Sequence, residues 1–233
     1  MALSITRLSG GTTPADGSDP RTYPAIWNAT ATALEAVATD LDTLELSSLD
    51  GVTLSSPVDG QLLTYDGAAW VNEVPAVPAG SVLQVVSTTK TDTASAATGT
   101  GTWADISGLS VTLTPQATSS EVKLELAVMF GVVSADNTFF RILRGATVIG
   151  VGDANGIRER VMLGTRTTST DAGATGSASG FLVDSPATIS PVTYKVQWTT
   201  GTTTGYLNRN SRYGNNTYDA TFISSLIASE VAG

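Results

Sequence analysis

Cysteine and histidine are both missing from the 233 residues of this chain. Their absence excludes disulfides, thiolate nucleophiles, imidazole bases and the ordinary zinc ligand sets at once. Charge is scarce as well: Asp, Glu, Lys and Arg make up 14% of the chain, and aromatic residues only 6%. Basic side chains number 12 against 21 acidic ones and form no cluster, so the chain has little with which to neutralise phosphates. No apolar run approaches the roughly 20 residues of a membrane span, and MALSITRLSGG lacks the apolar stretch of a signal peptide. The expectation is no nucleic-acid partner, no membrane insertion and no export by the ordinary secretory route. Thr, Ser, Ala and Gly dominate instead, as in β-rich and fibrous proteins.

The charge is uneven. Residues 1–80 hold Arg7 and Arg21 against ten acidic side chains, a balance of −8, whereas residues 81–233 come to −1. Two regions with different tasks are the simplest reading. Residues 1–22 are dense in turn formers (Gly10-Gly11, Pro14, Asp16-Gly17, Asp19-Pro20) with Leu3, Ile5 and Leu8 as short apolar anchors. They read either as an extended arm that docks on another protein or as an unanchored tail. Residues 23–48 carry Trp27, Thr30, Leu34, Val37, Leu41, Leu44 and Ser48 at alternating steps of three and four. That spacing predicts a heptad seam on a short helix, which buries its stripe against copies of itself or against its own domain. The first alternative is preferred, because the sequence on both sides reads as extended.

Residues 49–74 change period. Asp50-Gly51, Pro57, Asp59-Gly60 and Asp66-Gly67 cut the segment into runs of three to six β-prone residues, too short to make a core alone. Strands shared around a threefold axis would solve that, with Leu54, Leu62, Leu63, Tyr65 and Trp70 filling the centre. The Pro/Gly stretch at 75–80 is a semi-rigid spacer. Residues 81–233 then show eight to ten short alternating runs. The clearest is Glu121–Val133, with Val122, Leu124, Leu126, Val128 and Phe130 on one face. Other runs are expected at Val82–Val86, Leu109–Thr114, Phe139–Leu143, Val148–Val151, Arg158–Leu163, Ser177–Val183, Val192–Thr199, Tyr206–Arg209 and Thr221–Ala228. This pattern predicts a β-sandwich of jelly-roll kind.

DGQLLTYDGAAWVNE, Asp59 to Glu73, closely resembles the D-G-Q-x-L-x-Y-D-x-x-x-W-x-N motif of bacteriophage fibre shafts. GSDPRTYPAIWNATATALEA is similar to the amino-terminal part of phage virion appendages. The succession PAGSVLQVVSTTKTDT, WADISGLSVTLTP, RILRGATVIGVGDA, FLVDSPATISPVTYKVQW and GYLNRN resembles a distal domain of phage fibre and tail-associated proteins. The resemblance implies a trimeric, tumour-necrosis-factor-like head, and it implies packing and turn roles for Trp70 and Asn72. The expected fold is thus mainly β with a short coiled-coil helix, a trimeric fibre ending in a β-sandwich head. Its implied partners are two further copies, a capsid or tail/baseplate protein held through residues 1–22, and a host surface glycan or protein. Its implied place is the virion, assembled in the bacterial cytoplasm.

Chemistry is thin. Asp105, Asp136, Asp153, Glu159, Asp171, Asp184 and Asp219 stand in no signature that marks a glycosidase pair. No run alternates carboxylates as a calcium loop does. The expectation is no enzyme, no metal and no cofactor, with a polysaccharide depolymerase as the minor alternative. A binding surface fits better. GYLNRNSRYGNNTYDAT, Gly205 to Thr221, gathers Tyr206, Asn208, Arg209, Arg212, Tyr213 and Tyr218, rings and forks that grip glycans or anionic polymers. The same stretch also reads as a long hairpin with Tyr206 and Tyr218 turned inward. Thr165–Gly180 is a weaker second loop candidate. The main alternative to adhesion is a purely structural appendage on capsid or tail.

Overall fold

The computed structural model describes residues 32–34, 36, 45–132 and 136–233. They fall into two compact units, Met1–Ala76 and Val77–Gly233, with the division inside the Pro/Gly run at 75–80. The arm at 1–22 and, of the seam positions, Trp27, Val37, Leu41 and Leu44 lie outside the described residues. Leu34 is described; it is helical and exposed. The helix expected to reach Ser48 stops earlier. Glu45 is extended, Leu46–Ser48 form one tight turn, and Leu49 is extended again. Ser48 folds its hydroxyl back on the Glu45 carbonyl at 2.6 Å, the local bond by which Ser competes with helix continuation.

The leading unit has three short strands, β1 (Val52–Thr53), β2 (Leu62–Tyr65) and β3 (Trp70–Glu73), in the order β1-β3-β2. The motif residues build this hairpin one by one. Gly60 and Gly67 take positive φ at the two turns, a conformation that costs glycine least. Asp66 accepts the Ala68 and Ala69 amides, each at 2.8 Å. Tyr65 and Trp70 face each other across the strands at 5.6 Å. Asn72 does not sit at a turn. It lies in β3, and its side chain fastens the β1–β2 connection by accepting from Ser55 N and donating to Ser55 O and Gln61. No described residue of this unit is buried. Of the expected shaft fillings, Leu54 is half-buried, and Leu62, Tyr65 and Trp70 are exposed.

The second unit is a sandwich of two antiparallel sheets. One has the columns β4 (Val82–Lys90), β14 (Ser224–Val231), β7 (Glu121–Val132) and β11 (Thr175–Asp184); β5 (Ala94–Ala96) and β13 (Gly205–Leu207) extend the first two. The other has β6 (Ala104–Leu113), β12 (Val192–Thr200) and β8 (Asn137–Arg144), with β9 (Thr147–Ile149) and β10 (Leu163–Arg166) sharing its outer edge. The chain changes sheet at nearly every connection from β5 to β13, the alternation of a jelly roll. Phe130, Phe140, Tyr194, Leu109, Leu124 and Leu226 fill the space between the sheets. Alternation selects them: Val122, Leu124, Leu126, Val128 and Phe130 all point inward from β7.

Two expectations change here. Arg158–Met162 is not a strand but a loop, drawn out by Arg160 Nε donating to Gly152 O at 2.7 Å and by Trp103 Nε1 donating to Glu159 at 3.3 Å. The second half of the Thr165–Gly180 loop is strand β11. Its inward positions are small because a Cβ on Gly176 would stand 2.9 Å from the Phe130 ring, and one on Gly180 would stand 2.8 Å from Leu163.

The sandwich has two unlike outer faces. On β6, β12 and β8, Asp105 receives Lys195 at 2.8 Å and Gln197 at 2.6 Å, Gln197 receives Arg141, and Arg141 lies 4.0 Å above the Trp103 ring. On β4, β14, β7 and β11, Val85, Phe181 and Val183 stand exposed. Ala127, Phe181 and Ile227 line a shallow depression there of about 380 Å³.

Candidate functional site

The chain joins the second unit at one end of the sandwich, where Gly80 N donates to Ala232 O at 2.7 Å and Ala232 N to Ser81 O at 2.9 Å. The segment between β13 and β14 lies at the opposite end, because β14 begins beside Lys90 and finishes beside Val82. This is the stretch that the sequence marks as a binding surface.

Asn208 pins its base. At φ +59 the residue is fully buried; its amide donates to Lys90 O at 2.8 Å and Asp92 O at 2.9 Å and accepts from Ser224 at 2.6 Å. Asn208 therefore leaves the set of receptor candidates: all its hydrogen-bonding capacity is spent inside the fold. Phe222 N donates back to Asn208 O at 2.9 Å, and Arg209 bridges to Thr221, which closes the loop at its neck.

Asp219 organises what projects beyond the neck. Its carboxylate accepts from Arg212 Nε and Nη2 at 2.9 and 2.7 Å, Asn210 Nδ2 at 2.6 Å, Gly214 N at 2.7 Å and Asn216 Nδ2 at 3.0 Å. The Arg212 fork, followed by the Asn210 amide, holds this carboxyl far below the usual range, and the same pairing raises Arg212. Arg212 thus serves the loop's frame. Asn210 also accepts the Tyr213 amide at 2.7 Å, and Asn216 accepts the Tyr218 amide at 2.8 Å. From the neighbouring loop, Ala172 O receives Arg212 N and Ser211 Oγ, each at 2.9 Å. The two loop regions singled out in the sequence therefore meet.

The rings divide. Tyr206 is half-buried, Tyr213 is 47% exposed and Tyr218 86% exposed, so Tyr218 does not pack inward. The Arg209 guanidinium lies between two of them, 4.2 Å from the Tyr206 centroid and 4.6 Å from that of Tyr213, a stacked arrangement favourable for Arg. Tyr213 itself has φ +42, a region uncommon for a non-glycine residue. Beside these rings lies a cradle of about 330 Å³ lined by Tyr213, Gly214, Asn215, Asn216, Asp219, Ala220 and Thr221.

Sequence reasoning missed Asp219, which stood among unremarkable acids. Nothing in its neighbours marks it, since its partners converge only when the loop is closed. The other prominent carboxylates are likewise committed to structure. Burial works to raise Asp136, but Thr203 Oγ1 and the Asn137, Thr202 and Thr203 amides outweigh it and the group goes down. Asp184 binds Arg144 and the buried Tyr194 hydroxyl. Among the described residues no three acidic side chains gather as a metal site would need, and no helix is long and apolar enough to cross a membrane.

No family model matches this chain, and no curated protein matches it. One solved structure, of infectious bursal disease virus Gx strain, aligns over 82% of this chain with 14% identity and a TM-score of 0.36. This chain spans about half of that one, 47%. A likeness at that score supports no assignment of fold or function.

Proposed function

We propose that this chain is the subunit of a homotrimeric bacteriophage fibre: residues 1–22 anchor it to a capsid or tail protein, a coiled-coil neck and short β shaft follow, and the sandwich is a tumour-necrosis-factor-like head for adhesion to the host surface. The observation that carries this reading is the leading unit. Its hairpin is fully specified by turns, side-chain clasps and an aromatic pair, yet it has no buried described residue while presenting Leu62, Leu63, Tyr65 and Trp70. Large apolar side chains on both faces of a three-stranded sheet leave too much surface in water for the sheet to stand alone. Copies of the same hairpin around an axis would bury it, and the resemblance of the distal domain to phage fibre heads, which are commonly trimeric, favours three copies.

The head supports the same assembly. Phe181, Val183 and Val85 face outward on one sheet beside the Lys123–Glu125 pair, a mixed face of exposed apolar side chains and charge that suits contact with neighbouring copies, whereas the other sheet carries the longer ionic network. The mechanism we favour is adhesion, since Asp105, Asp136, Asp219 and Glu230 each spend their carboxylates on partners inside the fold. Three loops at the far end of three heads would convert weak contacts into avidity.

Light scattering of the full chain tests the reading. The expected mass is three times the 23.9 kDa subunit, falling to one or to an ill-defined mixture in the Leu62→Asp, Trp70→Asp double variant. A wild-type mass of one subunit overturns it.

A further inference from the structure

We infer that the cradle between Tyr213 and Thr221 binds one uncharged sugar residue of a surface polysaccharide, with Tyr213 as the stacking ring. The inference rests on the adhesive reading and gives its site a ligand class. Charge selects that class first. Asp219 lines the cradle, but Arg212, Asn210, Gly214 and Asn216 already occupy its oxygens. It is neutralised and has nothing to offer a cation. Arg209, the other charge nearby, is held over the Tyr206 and Tyr213 faces; it fixes the Tyr213 ring and is a positioning residue.

What remains for a ligand is uncharged. In the described structure the side chains of Asn215 and Thr221 and the hydroxyl of Tyr213 make no hydrogen bond, and all three residues line the cradle and are exposed. Amide and hydroxyl groups beside an exposed ring match a pyranose, whose C–H face is apolar and whose rim carries hydroxyls. Tyrosine serves such a contact well because the ring is rigid and amphipathic. The volume, about 330 Å³, is at the small end of ligand sites, which run from about 300 to 1,000 Å³; it suits a single residue of a chain that continues into solvent. The frame is already built. The Asp219 clasp and the Ala172 contacts order the loop before any ligand arrives, so little conformational entropy is lost on binding.

Saturation-transfer NMR on the full chain tests this, with methyl glycosides of glucose, galactose, mannose, N-acetylglucosamine and rhamnose as probes, and glucuronate and glucose 6-phosphate as charged comparisons. The expected result is transfer to at least one neutral glycoside, weakened tenfold or more by Tyr213→Ala and by Asn215→Ala at unchanged melting temperature. Transfer to the charged probes alone, neutral transfer that survives both substitutions, or no transfer at all overturns the inference. Adsorption of fluorescent full chain to a panel of bacterial strains separates this failure from failure of the adhesive reading. Cells coated equally by wild type and Tyr213→Ala remove the sugar site and keep the adhesin, whereas sugar binding without coating of any strain keeps the site and removes the adhesin.

Discussion

Phe130 and Phe140 meet at 5.4 Å with neither residue exposed, whereas Tyr65 and Trp70 meet at 5.6 Å with the two residues 55% and 48% exposed. The contacts are alike; their surroundings are opposite. The first pair sits between two sheets that a single chain supplies, so its contribution to stability belongs to the subunit. The second pair sits on a three-stranded hairpin with nothing described over it. A hairpin of that size gains its stability from whatever covers it, and concentration therefore becomes part of its stability. On the proposed reading the head is a folding unit and the leading unit an assembly unit.

The largest expected break in this comparison is Phe130→Ala, which leaves a cavity at the centre of the sandwich and costs about 3–5 kcal/mol. A lowered denaturation midpoint for the head, read by circular dichroism, is the check. Trp70→Ala is expected to leave that midpoint in place and to lower the oligomer's mass at micromolar concentration. A head transition displaced as far by Trp70→Ala as by Phe130→Ala would end the distinction.

Acid supplies the next effect. Glu230 is fully buried beside the chain's point of entry to the head. Burial raises its pKa, but the Gln84 amide and the Gln116 N–H bring it below 4.5. A carboxyl lowered by folding stabilises the native state above its unfolded pKa, and that stabilisation is lost as pH falls through the folded value. The contribution of Glu230 is expected to be complete above the ordinary Glu range and to be lost progressively as pH falls below it. Glu230→Gln should cost about 1–3 kcal/mol at neutral pH and flatten the acid limb. An unaltered slope in denaturant titrations at pH 3–7 would exclude Glu230 as the cause.

Two smaller effects sharpen the picture. A Cβ on Gly131 would stand 2.7 Å from Arg209 O and 2.8 Å from Asn210 Cα. Gly131→Ala should shift the loop that carries the cradle, altering the amide resonances of 209–219 in NMR spectra more than those of β6 or β12. Phe181→Ser, on the outer face beside Lys123, should change the head's own stability by no more than about 0.5 kcal/mol while weakening association in sedimentation. A large loss of head stability would place that ring in the subunit's core and not at a boundary between copies.

The legibility of the chain follows the same physics. Strand β7 was plain because Glu121–Leu126 alternates polar and apolar residues and Val128 and Phe130 keep the same phase, which leaves one assignment of inside and outside. Strand β11 was half hidden. Its inward Gly176 and Gly180 yield to the Phe130 and Leu163 side chains, so the packing demand that makes it a strand also makes it look like a loop. Arg158–Met162 failed in the other direction, since single bonds from Arg160 and Trp103 to distant partners hold it as a loop. In the candidate site the tyrosines were legible as a composition. The division of labour among Asn208, Arg212 and Asp219 was not, because a polar side chain reads alike whether its partner is a ligand or its own backbone.

Composition and periodicity alone determined that this chain is built of short strands, that it has no histidine or cysteine chemistry, and that its first eighty residues carry a separate charge and pattern. Only the tertiary structure decided which outer face of the sandwich carries the exposed Phe181, Val183 and Val85, that the loops around Ala172 and Asp219 touch, and that Asn208 is consumed inside the fold. The reason is that alternation orders a strand against its own two faces, whereas the neighbours on either face come from residues far away in the chain and exist only once both sheets have closed.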